Sequence, residues 1–320
     1  MIRGIAAAAL IATTATADEP RLGQPVQCTV GHDCFVQNYV DREPGPGHAD
    51  FMCGPLSYDG HKGTDFRPAD PRRPVSVIAA APGTVKARRD GMADAGVRAL
   101  GRQAVAGAEC GNGVLIDHGD GWVTQYCHMA RGSLRVRVGE VVARGQQLGR
   151  IGLSGQTEFH HLHFELRKDG RVVDPFIGPD APQGCGAGRS LWQQPIAYFG
   201  RAVLAAGFTD AAPTLGELEV GRHRARQLGP DAHQMLFWVQ VMGLRAGDRE
   251  RLQLAAPDGT VLADVERVAS ATDRAQWLAY VGQRRREPRW APGIYRGQYR
   301  LTRDGAELLR ANATVRVAAQ

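Results

Sequence analysis

The segment 160–166 alternates imidazole and apolar side chains in a pattern that suits metal or acid–base chemistry. Its sequence is His-His-Leu-His-Phe-Glu-Leu. Successive side chains of a β-strand point to opposite faces, so His161, His163 and Glu165 would share one face and the apolar residues the other. Two imidazoles on one face can bind a metal ion together, but an ordinary strand with polar residues outside has the same pattern. Whether this segment is a metal site or an ordinary strand depends on whether the chain offers further ligands elsewhere.

His61 and Asp65 are the first further candidates. They lie four residues apart in His-Lys-Gly-Thr-Asp-Phe, where Gly63 disfavours a helix. A tight loop that enters a strand can bring both side chains to one point, and imidazoles with one carboxylate suit Zn²⁺. The alternative is a turn histidine and a strand-end aspartate that make separate hydrogen bonds.

His128 is the third candidate, at the end of the strand-like run 122–128. Alternation places His128 on one face of this strand together with Tyr126, and it points Cys127 to the other face. His128 would then be free to face a cleft while Cys127 forms a disulfide bond.

The chain begins like an exported protein. A short basic start, an Ala-rich apolar run and the small-x-small site Ala15-Thr16-Ala17 predict a signal peptide over residues 1–17. No later run reaches the length of about 18 apolar residues that a membrane span requires, so we expect no transmembrane segment in the mature chain. We expect a periplasmic location, with secretion as the alternative.

Six cysteines in an exported chain predict disulfide bonds. A turn joins the strand-like segments 113–117 and 122–128, and pairing across it brings Cys110 close to Cys127, so we predict that bond. The sequence leaves the pairing of the other four cysteines open. Cys28 could close a small loop with Cys34, and Cys53 and Cys185 could then tie the N-terminal segment to the end of the domain.

Length and composition predict two domains and an anionic partner. The chain has 320 residues and a formal net charge of +6, which suits acidic glycans or phosphate-bearing polymers. No nucleic-acid-binding motif is present, so we expect no nucleic-acid partner. The sequence leaves the oligomeric state open.

Changes in composition divide the mature chain into three parts. Residues 18–55 are rich in Pro and Gly and are predicted to form a loop segment held by disulfide bonds, and residues 56–185 carry short β-type runs. Residues 186–320 contain about seven short strand-like runs with Gly or Pro turns, which predicts an immunoglobulin-like β-sandwich. The segment 41–55 is either a lid over the site or a structural wrap, and we favour the wrap.

The candidate segments together resemble the lysostaphin/LytM-type zinc metallopeptidases of bacterial cell-wall metabolism. The segment 61–66 resembles the family's H-x-G-x-D-[FI] motif, 126–128 its Tyr-x-His, and 161–167 its H-L-H-F-E-[LV]-R signature. The segment 138–152 resembles its V-G-x-x-V-x-x-G-x-x-[IL]-G-x-x-G run. The resemblance covers about 56–177 and implies an all-β catalytic domain of the duplicated-hybrid-motif fold.

The resemblance also implies a site and an activity. His61, Asp65 and His163 would hold a Zn²⁺ ion, and His128 and His161 would flank it as catalytic imidazoles, either of which could be the base. The implied function is a zinc endopeptidase that hydrolyses peptide cross-links of peptidoglycan, with peptide stems as its partner. The alternatives are a non-catalytic wall-binding or amidase-activating protein and a peptidase that acts on secreted proteins.

Three further residues lie near the predicted site. Glu165 and Tyr126 lie on the predicted site face and are candidates for orienting a histidine. The family often has Gly-Pro before its His-Leu-His, whereas Phe159-His160 stand here. We interpret His160 as a strand-entry or groove residue, with a substitute metal ligand as the alternative.

Overall fold

The computed structural model describes residues 19–223 and 225–319. The predicted signal peptide, 1–17, lies outside the described residues. Within those two ranges, no helix is long and apolar enough to cross a membrane.

An antiparallel sheet of eight strands organises the part of the chain that contains the candidate site. The first ten strands are β1 (Cys34–Asn38), β2 (Thr64–Pro68), β3 (Ser76–Ile78), β4 (Gly83–Arg89), β5 (Asn112–Gly119), β6 (Trp122–Met129), β7 (Val141–Val142), β8 (Gln147–Arg150), β9 (Leu162–Lys168) and β10 (Arg171–Val173). The sheet has the order β1-β2-β9-β6-β5-β4-β7, with β10 beside β9, while β3 and β8 form a separate pair. The strand that carries the histidines therefore lies inside the sheet, between β2 and β6.

The apolar face of β9 packs into the core, as its alternation predicts. Leu162, Phe164 and Leu166 are at most 1% exposed and belong to one large apolar cluster. Because this face is fixed by burial, the opposite face of β9 must present His163 and Glu165. The prediction of two distinct faces for this strand is confirmed.

The N-terminal segment is not wholly loop, and this corrects the prediction for residues 18–55. Strand β1 lies inside that segment, is fully buried and pairs antiparallel with β2, with Asn38 opposite Asp65. The surrounding Pro and Gly residues indicate turns, but Cys-Phe-Val-Gln-Asn itself is a short β-prone run that can complete a sheet edge. The segment therefore brings polar groups next to the site.

The C-terminal part of the chain contains two further sheets. Its strands are β11 (Ala202–Thr209), β12 (Gln227–Leu228), β13 (Gln234–Leu244), β14 (Arg249–Ala255), β15 (Val261–Val268), β16 (Arg274–Arg284), β17 (Gly293–Arg303) and β18 (Ala306–Val317). One sheet has the order β11-β13-β16 and the other β12-β18-β17-β14-β15, and residues from both share a second apolar core. The all-β fold is confirmed, and the immunoglobulin-like designation of this sandwich stays a prediction.

In the part of the chain that the structure describes, helices are few and short. They are α1 (Gly96–Leu100), a 3₁₀ turn over Arg102–Val105, and α2 (Leu215–Glu219). A capping box begins α2: the Thr214 hydroxyl accepts from the Glu217 amide, and the Glu217 carboxylate accepts from the Thr214 amide. These local bonds allow a five-residue helix to form between strands.

The first apolar core extends beyond the predicted domain boundary at residue 185. Leu191 and Trp192 belong to it, as do Ala202 and Leu204 of β11 and Met242 of β13. The C-terminal sheet therefore packs directly against the first part of the chain. We keep the division into 18–55, 56–185 and 186–320 as a proposal.

The six cysteines form three disulfide bonds: Cys28–Cys34, Cys53–Cys185 and Cys110–Cys127. The prediction of Cys110–Cys127 is confirmed, and the other two bonds answer a pairing that the sequence leaves open. Cys53–Cys185 spans 132 residues and ties the N-terminal segment to the far end of the predicted catalytic domain. A link across so long a segment restricts the unfolded chain strongly.

Asp174 predicts a measurable dependence of stability on pH. Burial raises the pKa of its carboxyl group to about 7, so the folded state holds a proton that the unfolded chain releases at lower pH. Stability is therefore full below the ordinary aspartate pKa and falls as the pH rises toward 7. We expect Asp174→Asn to be more stable than the wild type at pH 8, on the order of 2–4 kcal/mol, and the difference to vanish near pH 4.

Urea unfolding at pH 4, 6 and 8 measures this effect, with the exposed Asp180→Asn as the matched control. Parallel pH profiles for the wild type and Asp174→Asn would contradict the prediction.

Candidate metal and catalytic site

Three predicted ligands converge at the start of β2 and β9. Asp65 and His163 are cross-strand partners, so their side chains project from the same face. His163 Nδ1 lies 2.9 Å from Asp65 Oδ1, and His61 Nε2 lies 3.2 Å from that oxygen. His61 Nε2 is also 3.2 Å from His163 Nδ1. The loop that enters β2 thus aims His61 and Asp65 at one point, as the sequence predicts.

The N-terminal segment orients two of these three residues. His61 Nδ1 donates to the Tyr39 carbonyl at 2.7 Å, which leaves Nε2 unprotonated in the neutral ring. The Asn38 amide donates to Asp65 Oδ2 at 2.8 Å, so the other carboxylate oxygen faces the histidines. Sequence reasoning missed Asn38 and Tyr39, because neither lies in a recognisable motif near the ligands.

His161 and His128 lie beside the three ligands and beside each other. Their ring centroids are 4.7 Å apart, and His161 Nε2 is 3.4 Å from Asp65 Oδ1. His161 Nδ1 donates to the Phe159 carbonyl at 3.0 Å, and His128 Nδ1 donates to the Ser154 carbonyl at 2.8 Å. Because carbonyl oxygens can only accept, each neutral ring keeps an unprotonated Nε2 that can take up a proton.

The side chain of His128 faces the site, but not because of the strand alternation that the sequence predicts. Tyr126 is the cross-strand partner of Phe164 and lies in the core, while Cys127 is the partner of His163 on the site face. His128 has a positive φ of 62°, which breaks the strand alternation at its end. The prediction that Tyr126 and His128 share a face, with Cys127 opposite, is therefore wrong.

Tyr126 does not orient a site histidine, which corrects a second prediction. Its hydroxyl accepts from the Ala80 amide at 2.8 Å and from the Thr124 hydroxyl at 3.3 Å. The ring packs against Phe164 in the core. Its role is to pack the sheet that carries His128.

Glu165 lies on the site face, but it does not orient a histidine by hydrogen bonding. Its two carboxylate oxygens accept from Arg167 at 2.8 and 2.9 Å. Its charge still reaches the site. Burial lowers the pKa of His61, but the carboxylate of Asp65 outweighs burial and raises it overall, with a smaller contribution from Glu165.

The groups of the site shift one another's pKa values. Burial raises the pKa of Asp65, but the neighbouring His61 and His161 outweigh burial and hold it well below its usual range. Burial lowers the pKa of His128, and His161 and His163 lower it further. Asp65 is therefore an anion and His128 a neutral imidazole at neutral pH.

The donor set fits a divalent metal ion. One donor atom from each of His61, Asp65 and His163 lies within 4.8 Å of the others, and two imidazoles with one carboxylate are ligands that zinc prefers. A group formed by Cys28, Asp33 and Cys34 also meets this spacing, but its two cysteines are joined in a disulfide bond. The histidine group is therefore the better candidate.

A cleft of about 460 Å³ opens beside His128 and His161. Its walls come from the N-terminal segment, from the loop around α1 and from the C-terminal part of the chain. They include Asn38, Tyr58, Arg98, Leu215, Glu219 and Gln276. The lining residues lie outside 41–55, which favours the wrap over the lid for that segment.

The part of the chain that contains the candidate site is similar to a known family of peptidases. Residues 59–175 match Peptidase family M23.

Known proteins with similar sequences or structures match only part of this chain. It is 44% identical over 64 residues to the cell division protein DipM of Caulobacter vibrioides, and the match covers 20% of this chain and 10% of that protein. It is 41% identical over 64 residues to the peptidoglycan DD-endopeptidase ShyA of Vibrio cholerae, covering 20% and 14%. The solved catalytic domain of lysostaphin from Staphylococcus simulans is 25% identical, with a TM-score of 0.28, and the match covers 41% of this chain and 86% of that domain.

The chain thus spans at most about a seventh of the length of these two curated relatives.

Proposed function

We propose that the protein is an exported zinc metalloendopeptidase that hydrolyses peptide cross-links of peptidoglycan in the periplasm. The observation that carries the proposal is the convergence of His61, Asp65 and His163 beside a pair of imidazoles. We propose His61, Asp65 and His163 as zinc ligands, and His128 and His161 as the catalytic pair.

The chain's own residues supply the proton chemistry. When bound, zinc would polarise a carbonyl group and lower the pKa of water toward about 7. His128 is neutral and keeps Nε2 unprotonated, so it can accept a proton from the attacking water and pass it to the leaving amine. His161 is held by the Phe159 carbonyl. When its ring has taken up a proton from solvent, Nε2 would donate a hydrogen bond to the developing oxyanion.

The face of the sheet beyond the site favours a peptide substrate. Along β6 and β9, Cys127 is the partner of His163 and Gln125 is the partner of Glu165. A second cavity of about 290 Å³ follows this face and is lined by Gln125, Arg167, Arg89 and the Cys110 end of a disulfide bond. An extended chain lying across the sheet would have its scissile bond at the histidines and flanking residues on both sides, which suits an endopeptidase.

The relatives support the substrate class. ShyA is named a peptidoglycan DD-endopeptidase, and its match includes only part of the present chain. A cell-wall substrate also fits the predicted signal peptide and the net positive charge of +6, because wall polymers are anionic. All five histidine and aspartate positions are present, which favours an enzyme over a non-catalytic wall-binding protein.

Digestion of purified muropeptides tests the proposal. We expect the wild type to release cleaved stems, and His61→Ala and His161→Ala to reduce the rate by at least about 10²-fold. Liquid chromatography with mass spectrometry measures the products, and His32→Ala, an exposed histidine, is the control. Equal product from all variants, or cleavage of secreted proteins but not muropeptides, would contradict the proposed substrate.

A further inference from the structure

A buried ion pair joins the catalytic sheet to the C-terminal part of the chain. Arg67 of β2 and Glu219 of α2 are 2% and 3% exposed. Both carboxylate oxygens of Glu219 accept from Arg67 Nη2, at 3.0 and 3.1 Å. Arg67 lies two residues after Asp65 and on the same face of β2, so this contact is close to the candidate site.

Amide side chains surround the pair and satisfy much of its hydrogen-bonding capacity. Gln240 of β13 donates to Glu219 Oε1 at 2.6 Å. Gln37 of β1 accepts from Arg67 and, at 2.8 Å, from Gln276 of β16. A buried charge pair held by neighbours from three strands has one well-defined arrangement. The network therefore fixes α2 relative to β2.

The same two residues hold the segment that leads into His161. The guanidinium of Arg67 lies 5.3 Å from the centre of the Phe159 ring, and that ring stacks on His161 with centroids 4.2 Å apart and an angle of 20°. His160 Nδ1 donates to the Glu219 carbonyl at 3.0 Å. Phe159 and His160 are thus both anchored to the Arg67–Glu219 pair, immediately before His161.

We propose that Glu219 is a positioning residue for the catalytic site, acting through Arg67 and Phe159 on the imidazole of His161. The inference rests on the proposed function of His161. It gives His160 a role as an anchor for α2, because its ring bonds the C-terminal part of the chain and not the three candidate ligands. The C-terminal part is then a structural component of the active site as well as one wall of its cleft.

A variant series with a matched control tests the proposal. Glu219→Gln keeps the size of the side chain and removes its charge, and we expect kcat for muropeptide cleavage to fall about tenfold with KM within about twofold. Glu250→Gln removes another buried carboxylate, which bonds Arg267 and Trp277 inside the sandwich, and we expect its kcat to stay within about twofold. An equal loss of kcat in the two variants would show that Glu219 contributes only to the general stability of the fold, and it would overturn the proposal.

A double-mutant cycle tests the route through Phe159. If Glu219 acts by way of the Phe159 ring, Glu219→Gln should lower kcat less than about twofold when Phe159→Leu is already present. Independent, multiplicative losses would show that the two residues do not act together on His161. In a second comparison, His160→Gln, which can still donate to the Glu219 carbonyl, should retain more activity than His160→Leu.

A readout without substrate separates this proposal from the proposed function. The stacked Phe159 ring shields the ring protons of His161, so these signals in the NMR spectrum should move downfield in Glu219→Gln and stay in place in Glu250→Gln. His161→Gln assigns them by their loss. If the wild type cleaves no muropeptide, the proposed function fails while the NMR shift still supports the positioning. Unchanged His161 signals in Glu219→Gln would overturn it.

Discussion

Asp65→Asn is expected to lose its metal and at least about 10³-fold of its peptidase activity. Asp65 is the only carboxylate among the three proposed ligands, and one of its oxygens lies within 3.4 Å of three imidazoles. The substitution keeps the shape of the side chain and removes the negative charge. Since a divalent ion then faces two neutral imidazoles and an amide, its affinity falls sharply.

Metal analysis after dialysis and muropeptide cleavage, both against the wild type, measure this result. Asp117→Asn is the matched control, because Asp117 is a strand aspartate that pairs with Lys86 and not with a site residue. We expect the control to keep near-stoichiometric zinc and activity within about twofold. Full zinc content in Asp65→Asn would remove Asp65 from the ligand set.

The ligand geometry was predictable because it depends on local rules. The alternation of 160–166 places His163 on the polar face of β9, and the burial of Leu162 and Phe164 on the other face makes that register the stable one. His61 and Asp65 follow from a short loop whose glycine disfavours a helix. Local rules cannot predict that Asp65 lies close to His163, because the two are 98 residues apart in the chain. That proximity was predicted only from the match of both segments to family motifs.

The misplaced residues depend on features that a strand pattern does not contain. Alternation counted back from His128 places Tyr126 on the site face, but the positive φ at His128 changes the side to which the His128 ring points. Asn38 and Glu219 reach the site from segments before and after the family match, through strand pairing and domain packing. Nothing in the sequence near those residues shows which partner they will meet, so only the folded chain could place them.

His128→Asn is expected to keep its zinc and lose about 10²–10⁴-fold in kcat. His128 is not one of the three converging ligands, and its Nε2 is the unprotonated nitrogen of a buried, neutral ring. Asparagine tolerates the positive φ at this position better than most residues, so the backbone conformation of β6 should be unchanged. The variant therefore removes the proton acceptor while leaving the ligands in place.

Comparing zinc content with kcat in the same preparation separates this role from that of a ligand. His32→Asn is the control at an exposed histidine and should match the wild type in both measurements. If His128→Asn loses zinc and activity together, His128 belongs to the metal site itself. If it keeps both, the proton transfer must be carried by His161 alone, and the assignment of two catalytic imidazoles would be wrong.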